Sequence, residues 1–272
     1  MIMKEKIRKK AVCLCLMALI FGAAGVFSTD SVRVYADDAY LDDKYDKYPP
    51  LYQWDKNVEE LVVPSGEENV ELKDYPYLKK VTLPETMSEI VIKECPLLET
   101  IVVDEENSLF SSVDGVLYAK QGKELLHYPR SKKDKEFVIP DGVEIIKKSA
   151  AEGSKYLESV FIPSSVIELE SSAFADSSVH KVSFSEGLEK IRRVAFVGCQ
   201  IGILELPESL KILGDEAFGE NYRLRTVTIP AGVEDVYRSF YGCSNLEEII
   251  FMNRENPDAD YKEALRYCRE LT

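Results

Sequence analysis

The sequence predicts an α/β-type repeat solenoid, a right-handed superhelix in which one short strand per turn stacks into a parallel concave sheet. Three observations carry that prediction. A four-residue phrase returns five times, as Phe137-Val-Ile-Pro140, Val160-Phe-Ile-Pro163, Val182-Ser-Phe-Ser185, Leu204-Glu-Leu-Pro207 and Val227-Thr-Ile-Pro230, at steps of 23, 22, 22 and 23 residues; a period this short, sustained this long, is that of stacked supersecondary units. Each phrase alternates inward and outward side chains over three residues and then meets proline or serine, as a short strand with a sharp stop does. Ala173-Phe174, Ala195-Phe196 and Ala217-Phe218 recur on the same period in the return segment, with Ala150-Ala151 and Ser239-Phe240 in the flanking copies. A step of one repeat sets each phenylalanine above the last, which makes them an internal stack.

The chain begins with Lys4, Lys6, Arg8, Lys9 and Lys10, continues through an apolar run from Ala11 to Phe27, and reaches the small-residue exit Val34-Tyr-Ala36. That order reads as a secretory signal peptide over 1–36, cleaved after Ala36. A retained membrane anchor is the alternative, because a run of 17 residues approaches the length of a span. Residues 37–60 form an acidic, tyrosine-rich tether or cap, with Asp37, Asp38, Asp42, Asp43 and Asp46 beside Tyr40, Tyr45, Tyr48, Tyr52 and Trp54. The aspartates lack the glycine turn and terminal glutamate of a calcium loop, so no metal is expected there.

Residues 61–251 form the solenoid. Weaker copies begin at Leu61-Val-Val-Pro64 and Val81-Thr-Leu-Pro84, and Ile101-Val-Val103 opens an elongated unit with an insert over 107–128. Within the insert, Val113-Asp-Gly-Val116 is a tight-turn signal between short strands, and a hairpin projecting from the solenoid is expected. The return segments read as short irregular or helical convex pieces. A parallel β-helix, which needs two or three strands per turn, is disfavoured because each unit supplies one recognisable strand. Over 252–272, Tyr261, Leu265, Cys268 and Leu271 fall at spacings of 4, 3 and 3 after Asp258 and Asp260, the pattern of a C-terminal helix that caps the last coil.

The whole chain carries a net charge of −14, and residues 37–272 hold 28 Lys and Arg against 46 Asp and Glu, or −18. Such a surface repels phosphate backbones, which excludes nucleic acid as a partner. Cys199 and Cys243 are 44 residues apart, two repeats and so ~10 Å, beyond the ~7 Å that a disulfide spans. They and Cys95 read as small buried side chains; Cys243 with Cys268 is the one pair left open to bridging. No Cys-x-x-Cys motif accompanies them.

These residues resemble the BspA-like leucine-rich repeats of bacterial surface and secreted proteins. The likeness rests on the strand ending in Ile-Pro, the apolar residues three and six positions on, Ala-Phe, Gly-Cys and a Leu before the next strand; Ile229-Pro230, Val233, Val236, Phe240, Gly242-Cys243 and Leu246 show all but the alanine. Phe110 to Tyr118 and Leu125 to Pro129 resemble a segment that members of that family often carry. The resemblance implies a leucine-rich-repeat solenoid displayed outside the cell for adhesion or recognition, with an extracellular protein or glycan as ligand and no cofactor. It implies secretion or loose attachment to the cell surface, without a stable span once the signal is cleaved. No feature sets an oligomeric state.

Alternation turns the middle residue of each strand outward, giving the column Val62, Thr82, Val102, Val138, Phe161, Ser183, Glu205, Thr228 and Ile250. Within it Val102, Val138, Phe161, Ser183, Glu205 and Thr228 are the candidate ligand-binding face, apolar in its first part and polar in its second. The histidines, His127 and His180, sit in no nucleophile or metal motif and read as ordinary surface residues. The expectation is a non-catalytic binding protein; a secreted hydrolase with its site near the insert, and a spacer that binds nothing, are the rivals.

Overall fold

The computed structural model describes residues 55–233 and 236–252. The signal segment, the acidic tether up to residue 54 and the stripe of the expected C-terminal capping helix lie outside those residues; the end of the tether, 55–60, is described, and its last residue, Glu60, begins the first strand.

Alternation sets nine long strands, six of them followed by a proline stop. The first coils contribute β1 (Glu60–Val62) and β2 (Asn69–Lys73), then β3 (Lys80–Leu83) and β4 (Glu89–Lys93). β5 (Thr100–Val103) opens the third and leads into the insert, which holds β6 (Phe110–Val113), β7 (Val116–Ala119) and β8 (Glu124–His127). Regular coils follow as long and short strands in turn: β9 (Glu136–Val138) and β10 (Ile145–Ile146), β11 (Ser159–Ile162) and β12 (Glu168–Leu169), β13 (Lys181–Phe184) and β14 (Lys190–Ile191), β15 (Ile203–Glu205) and β16 (Ile212–Leu213). β17 (Thr226–Ile229) and β18 (Glu248–Phe251) close the series.

Each regular coil therefore supplies two strands, which corrects the one-strand-per-turn expectation. The second is only two residues long and is made by stacking: Ile146, Leu169, Ile191 and Leu213 point inward in register. The long strands do not make one continuous sheet. They form three parallel ladders, β1-β3-β5, β9-β11-β13 and β15-β17-β18.

The returns contain no helix among the described residues. Each carries two residues in the left-handed region, four positions apart: Ser149, Ser172, Val194, Glu216 and Arg238, with φ of 57°, 61°, 52°, 53° and 50°, followed by Gly153, Asp176, Gly198, Glu220 and Gly242. An isolated αL residue breaks any α-helical run, and the chain instead bonds from coil to coil, as from Phe174 N–H to Ala195 O and from Phe196 N–H to Ala217 O.

The insert also departs from expectation, because it does not project. β6, β7 and β8 are an antiparallel meander, and β8 joins the short-strand ladder parallel to β10. Successive side chains of β7 face two different cores: Leu117 packs with the N-terminal coils, Val116 and Tyr118 with the C-terminal ones. A strand buried on both faces is a partition, and it divides the interior in two. Fully buried Asn107 fixes its start, donating to Pro84 O (3.0 Å) and Met87 O (2.8 Å) and accepting from the amides of Leu109 and Phe110.

The phenylalanine stack forms as expected. Phe174, Phe196, Phe218 and Phe240 follow at centroid distances of 5.1, 5.1 and 6.1 Å. Beside it runs a column of small polar groups whose side chains bond the coil before them: Cys199 Sγ donates to Phe174 O (3.2 Å), Asn221 Nδ2 to Phe196 O (2.8 Å) and Cys243 Sγ to Phe218 O (3.1 Å). Asn221 stands between the two cysteines, so no disulfide joins them. Cys95 and Cys199 are free buried thiols, and burial pushes the Cys199 thiol up to about 11.

Candidate binding face

The outward column assembles in register, in three groups. Val62 pairs with Thr82 and Thr82 with Val102; Val138 with Phe161 and Phe161 with Ser183; Glu205 with Thr228 and Thr228 with Ile250. Local chemistry holds the central group. Pro140 and Pro163 end their strands, and Gly187 (φ 126°) lets the turn after β13 close on Ser164, whose carbonyl oxygen would lie 2.2 Å from any Cβ.

Val138 is 67% exposed and Phe161 41%. Val102 and Ser183 are half-buried, as are Thr82 and Thr228, and Glu205 is exposed. Val102 does not continue the apolar patch. The open side of β5 is taken by the insert, where Ile101 N–H donates to Gly115 O (2.9 Å) and Val103 N–H to Ser112 Oγ (3.0 Å). The patch is thus Val138 and Phe161 alone, on adjacent strands.

Charged groups border it. Lys135 binds Glu158 at 2.8 Å, and the Glu158 carboxyl is held below its usual range by the Lys135 hydrogen bond. Lys133 binds Glu99 at 3.1 Å and lies 4.1 Å over the Tyr156 ring. Sequence reasoning passed over Ile203, which is 71% exposed at the start of β15. It has the same outward parity as Glu205, two residues on, so the alternation that found the column would have found it.

The histidines are placed apart, on β8 and just before β13. His180 is exposed as expected. His127 is half-buried rather than a surface residue, and desolvation, followed by the charge of Arg130, pushes its imidazole down to about 4. Among the described residues no three His, Cys, Asp or Glu gather to hold a metal ion, and no helix is long and apolar enough to cross a membrane.

Against known families, six copies of the BspA type leucine rich repeat region match, over residues 129–247 and 170–272. The chain belongs to the BspA-type leucine-rich-repeat family. No curated protein matches it. Among solved structures it is similar to the pneumococcal vaccine antigen PcpA, with a TM-score of 0.67 at 22% identity over 75% of this chain and 53% of that one. It is similar also to a leucine rich cell surface protein from Faecalibacterium prausnitzii, with a TM-score of 0.63 at 23% identity over 78% of this chain and 63% of that one. At those identities the likeness is one of fold, and the BspA-type chain spans between half and two thirds of each neighbour's length.

Proposed function

We propose that this BspA-type chain is a secreted or loosely surface-attached recognition protein. It binds an extracellular protein or glycan, without catalysis, across the outward face of its long strands. Val138 and Phe161 are the apolar anchor, Ser183, Glu205 and Thr228 its polar continuation, and Val102 a peripheral contact beyond the insert. The exposure of the adjacent Val138 and Phe161 on an acidic repeat wall carries this reading, since contiguous apolar surface on a soluble protein marks interaction sites. The description of the Faecalibacterium neighbour as a cell surface protein and the N-terminal signal pattern support an extracellular setting.

The test is binding of the purified protein to immobilised panels of extracellular proteins and of glycans. A ligand captured by the wild type should be lost by the Val138→Lys, Phe161→Asp double variant, whose circular dichroism and melting curve stay nearly unchanged. Equal capture by the folded double variant would move the site elsewhere.

A further inference from the structure

At most junctions between long strands, the chain approaching a strand donates its amides to one carbonyl of the coil before. Lys79 and Lys80 donate to Glu59 O, Glu158 and Ser159 to Lys135 O, His180 and Lys181 to Glu158 O, and Glu247 and Glu248 to Arg225 O. Between β13 and β15 the pattern stops. Gly202 and Ile203 make no such bond to His180 O, and the two strands belong to different ladders. Gln200 N–H donates to Val179 O (2.9 Å) instead, and Ile201 N–H turns forward to Asn221 Oδ1 (3.0 Å), a side chain of the following coil.

The inward side chains of β13 record the same gap. Val182 and Phe184 are only partly buried, whereas Val160 and Ile162 before them, and Val227 and Ile229 in the paired ladder beyond, are buried. Phe137, Ile249 and Phe251, on the outer strands of their ladders, are partly buried too; β13 therefore has the character of a sheet edge inside the solenoid. Ile203 stands beside it, exposed.

The other sides of the same two coils are held. β14 pairs with β16, and Gly214 N–H donates to Ile191 O (2.8 Å). Phe196 N–H donates to Ala217 O (2.7 Å), and the Phe196 and Phe218 rings stack. In the turns, Gly187 N–H reaches Ser209 Oγ (2.9 Å) and Glu186 accepts from the amides of Glu208 and Ser209. The sequence marks the place: Phe174 to Val182 and Phe196 to Leu204 are returns of eight residues, against nine from Phe218 to Val227 and from Phe240 to Ile249. The gap lies between the two strands that follow the short returns.

We propose that the solenoid bends here, the long-strand side opening and closing between β13 and β15 about the unbroken short-strand ladder and phenylalanine stack. Bonds on the other sides supply a fixed line, and their absence on one side leaves a single direction of low stiffness. Ser183 and Glu205 lie on opposite lips of the gap, so the bend changes the spacing within the outward column. The inference rests on the bonding pattern and not on what the column binds.

Amide hydrogen exchange on the purified wild-type protein tests it. The amides of Gly202 and Ile203 should exchange at least ~10-fold faster than those of Glu247 and Glu248, which bond Arg225 O at the equivalent junction, because amides outside a ladder open at lower free energy, while Arg192 and Gly214 stay protected. Equal protection of the two pairs of amides would overturn the hinge. So would equally fast exchange at Arg192 and Gly214, which would mean that the whole coil unfolds. A second variant pair, Ser183→Cys with Glu205→Cys, tests closure: paired strands sit ~4.8 Å apart, within disulfide reach. The bridge should form under mild oxidation and bring the exchange of Gly202 and Ile203 down to that of Glu247 and Glu248. A folded double variant that stays reduced would show a gap that never closes and would overturn the proposal.

Discussion

The rings of Phe174 and Phe196 lie 5.1 Å apart with planes only 3° from parallel, one coil directly above the next. That geometry repeats between Phe196 and Phe218 at 5.1 Å and 4°, so Phe196 is packed on both faces. Phe196→Ala is expected to cost about 3–5 kcal/mol, the usual range for emptying a buried aromatic site. Phe161→Ala, on an outward ring, should cost well under half of that. Denaturant unfolding of the two variants checks the contrast, and similar losses would put the strand register in error.

Val194 occupies the left-handed region at φ 52°, where a β-branched residue is an outlier. The equivalent positions hold Ser149, Ser172, Glu216 and Arg238. Val194→Asn is expected to raise stability by about 0.5–1 kcal/mol through relief of that strain. A fall in melting temperature would show that the packing of the half-buried valine outweighs its backbone cost.

Tyr128 is buried against Phe137, with ring centroids 4.8 Å apart, and its hydroxyl has no hydrogen-bond partner among the described residues. Burial accordingly holds its phenol far above the ordinary value. Removing an unsatisfied hydroxyl costs nothing in lost bonds. Tyr128→Phe should be neutral or up to about 1 kcal/mol more stable, on the scale of a buried unpaired polar group. A clear loss of stability in denaturant unfolding would reveal a bonded partner.

The depressed imidazole of His127, at about 4, has a defined sign. The unfolded chain binds the proton near pH 6.5 and the folded chain only near 4, so the unfolded state holds more protons in between. Stability from this group is full above pH 6.5, falls as the pH drops from 6.5 to about 4, and is level below. Melting temperatures from pH 7 to 4 should therefore decline more steeply for the wild type than for His127→Gln, since the carboxylates titrate in both. Parallel profiles would mean that His127 titrates as an exposed histidine.

Phe240 and Leu246 are buried in the last coil described, and the Tyr261, Leu265, Cys268, Leu271 stripe follows in sequence. Deleting residues from Asn256 onward is expected to expose that coil, lower the melting temperature and produce aggregation. Light scattering reads it, and a monomeric truncation with unchanged melting would dismiss the capping role.

The long-strand register was legible because alternation and the proline stops fix parity at Pro140, Pro163, Pro207 and Pro230. The short-strand ladder was not, since pairs such as Glu168-Leu169 and Lys190-Ile191 become strands only when coils stack. Helical returns were expected because nothing in Ser172, Val194 or Glu216 advertises a positive φ; those angles follow from coil-to-coil bonding. The integrated insert had a signal, the continuous apolar run Val116-Leu117-Tyr118, which suits a strand buried on both faces better than a projecting hairpin. The split between Val102 and Val138 follows from that insert, and the break after β13 from returns one residue short.

The most direct measurement compares Phe161→Asp with Ile212→Asp, which places the same charge on an exposed apolar residue of the short-strand ladder. Both variants should fold, and affinity for a captured ligand should fall at least ~100-fold for Phe161→Asp, the loss of about 2.7 kcal/mol expected for an anchor residue. Ile212→Asp should bind as the wild type does. Equal affinity for both variants, or loss confined to Ile212→Asp, would contradict recognition through the long-strand face.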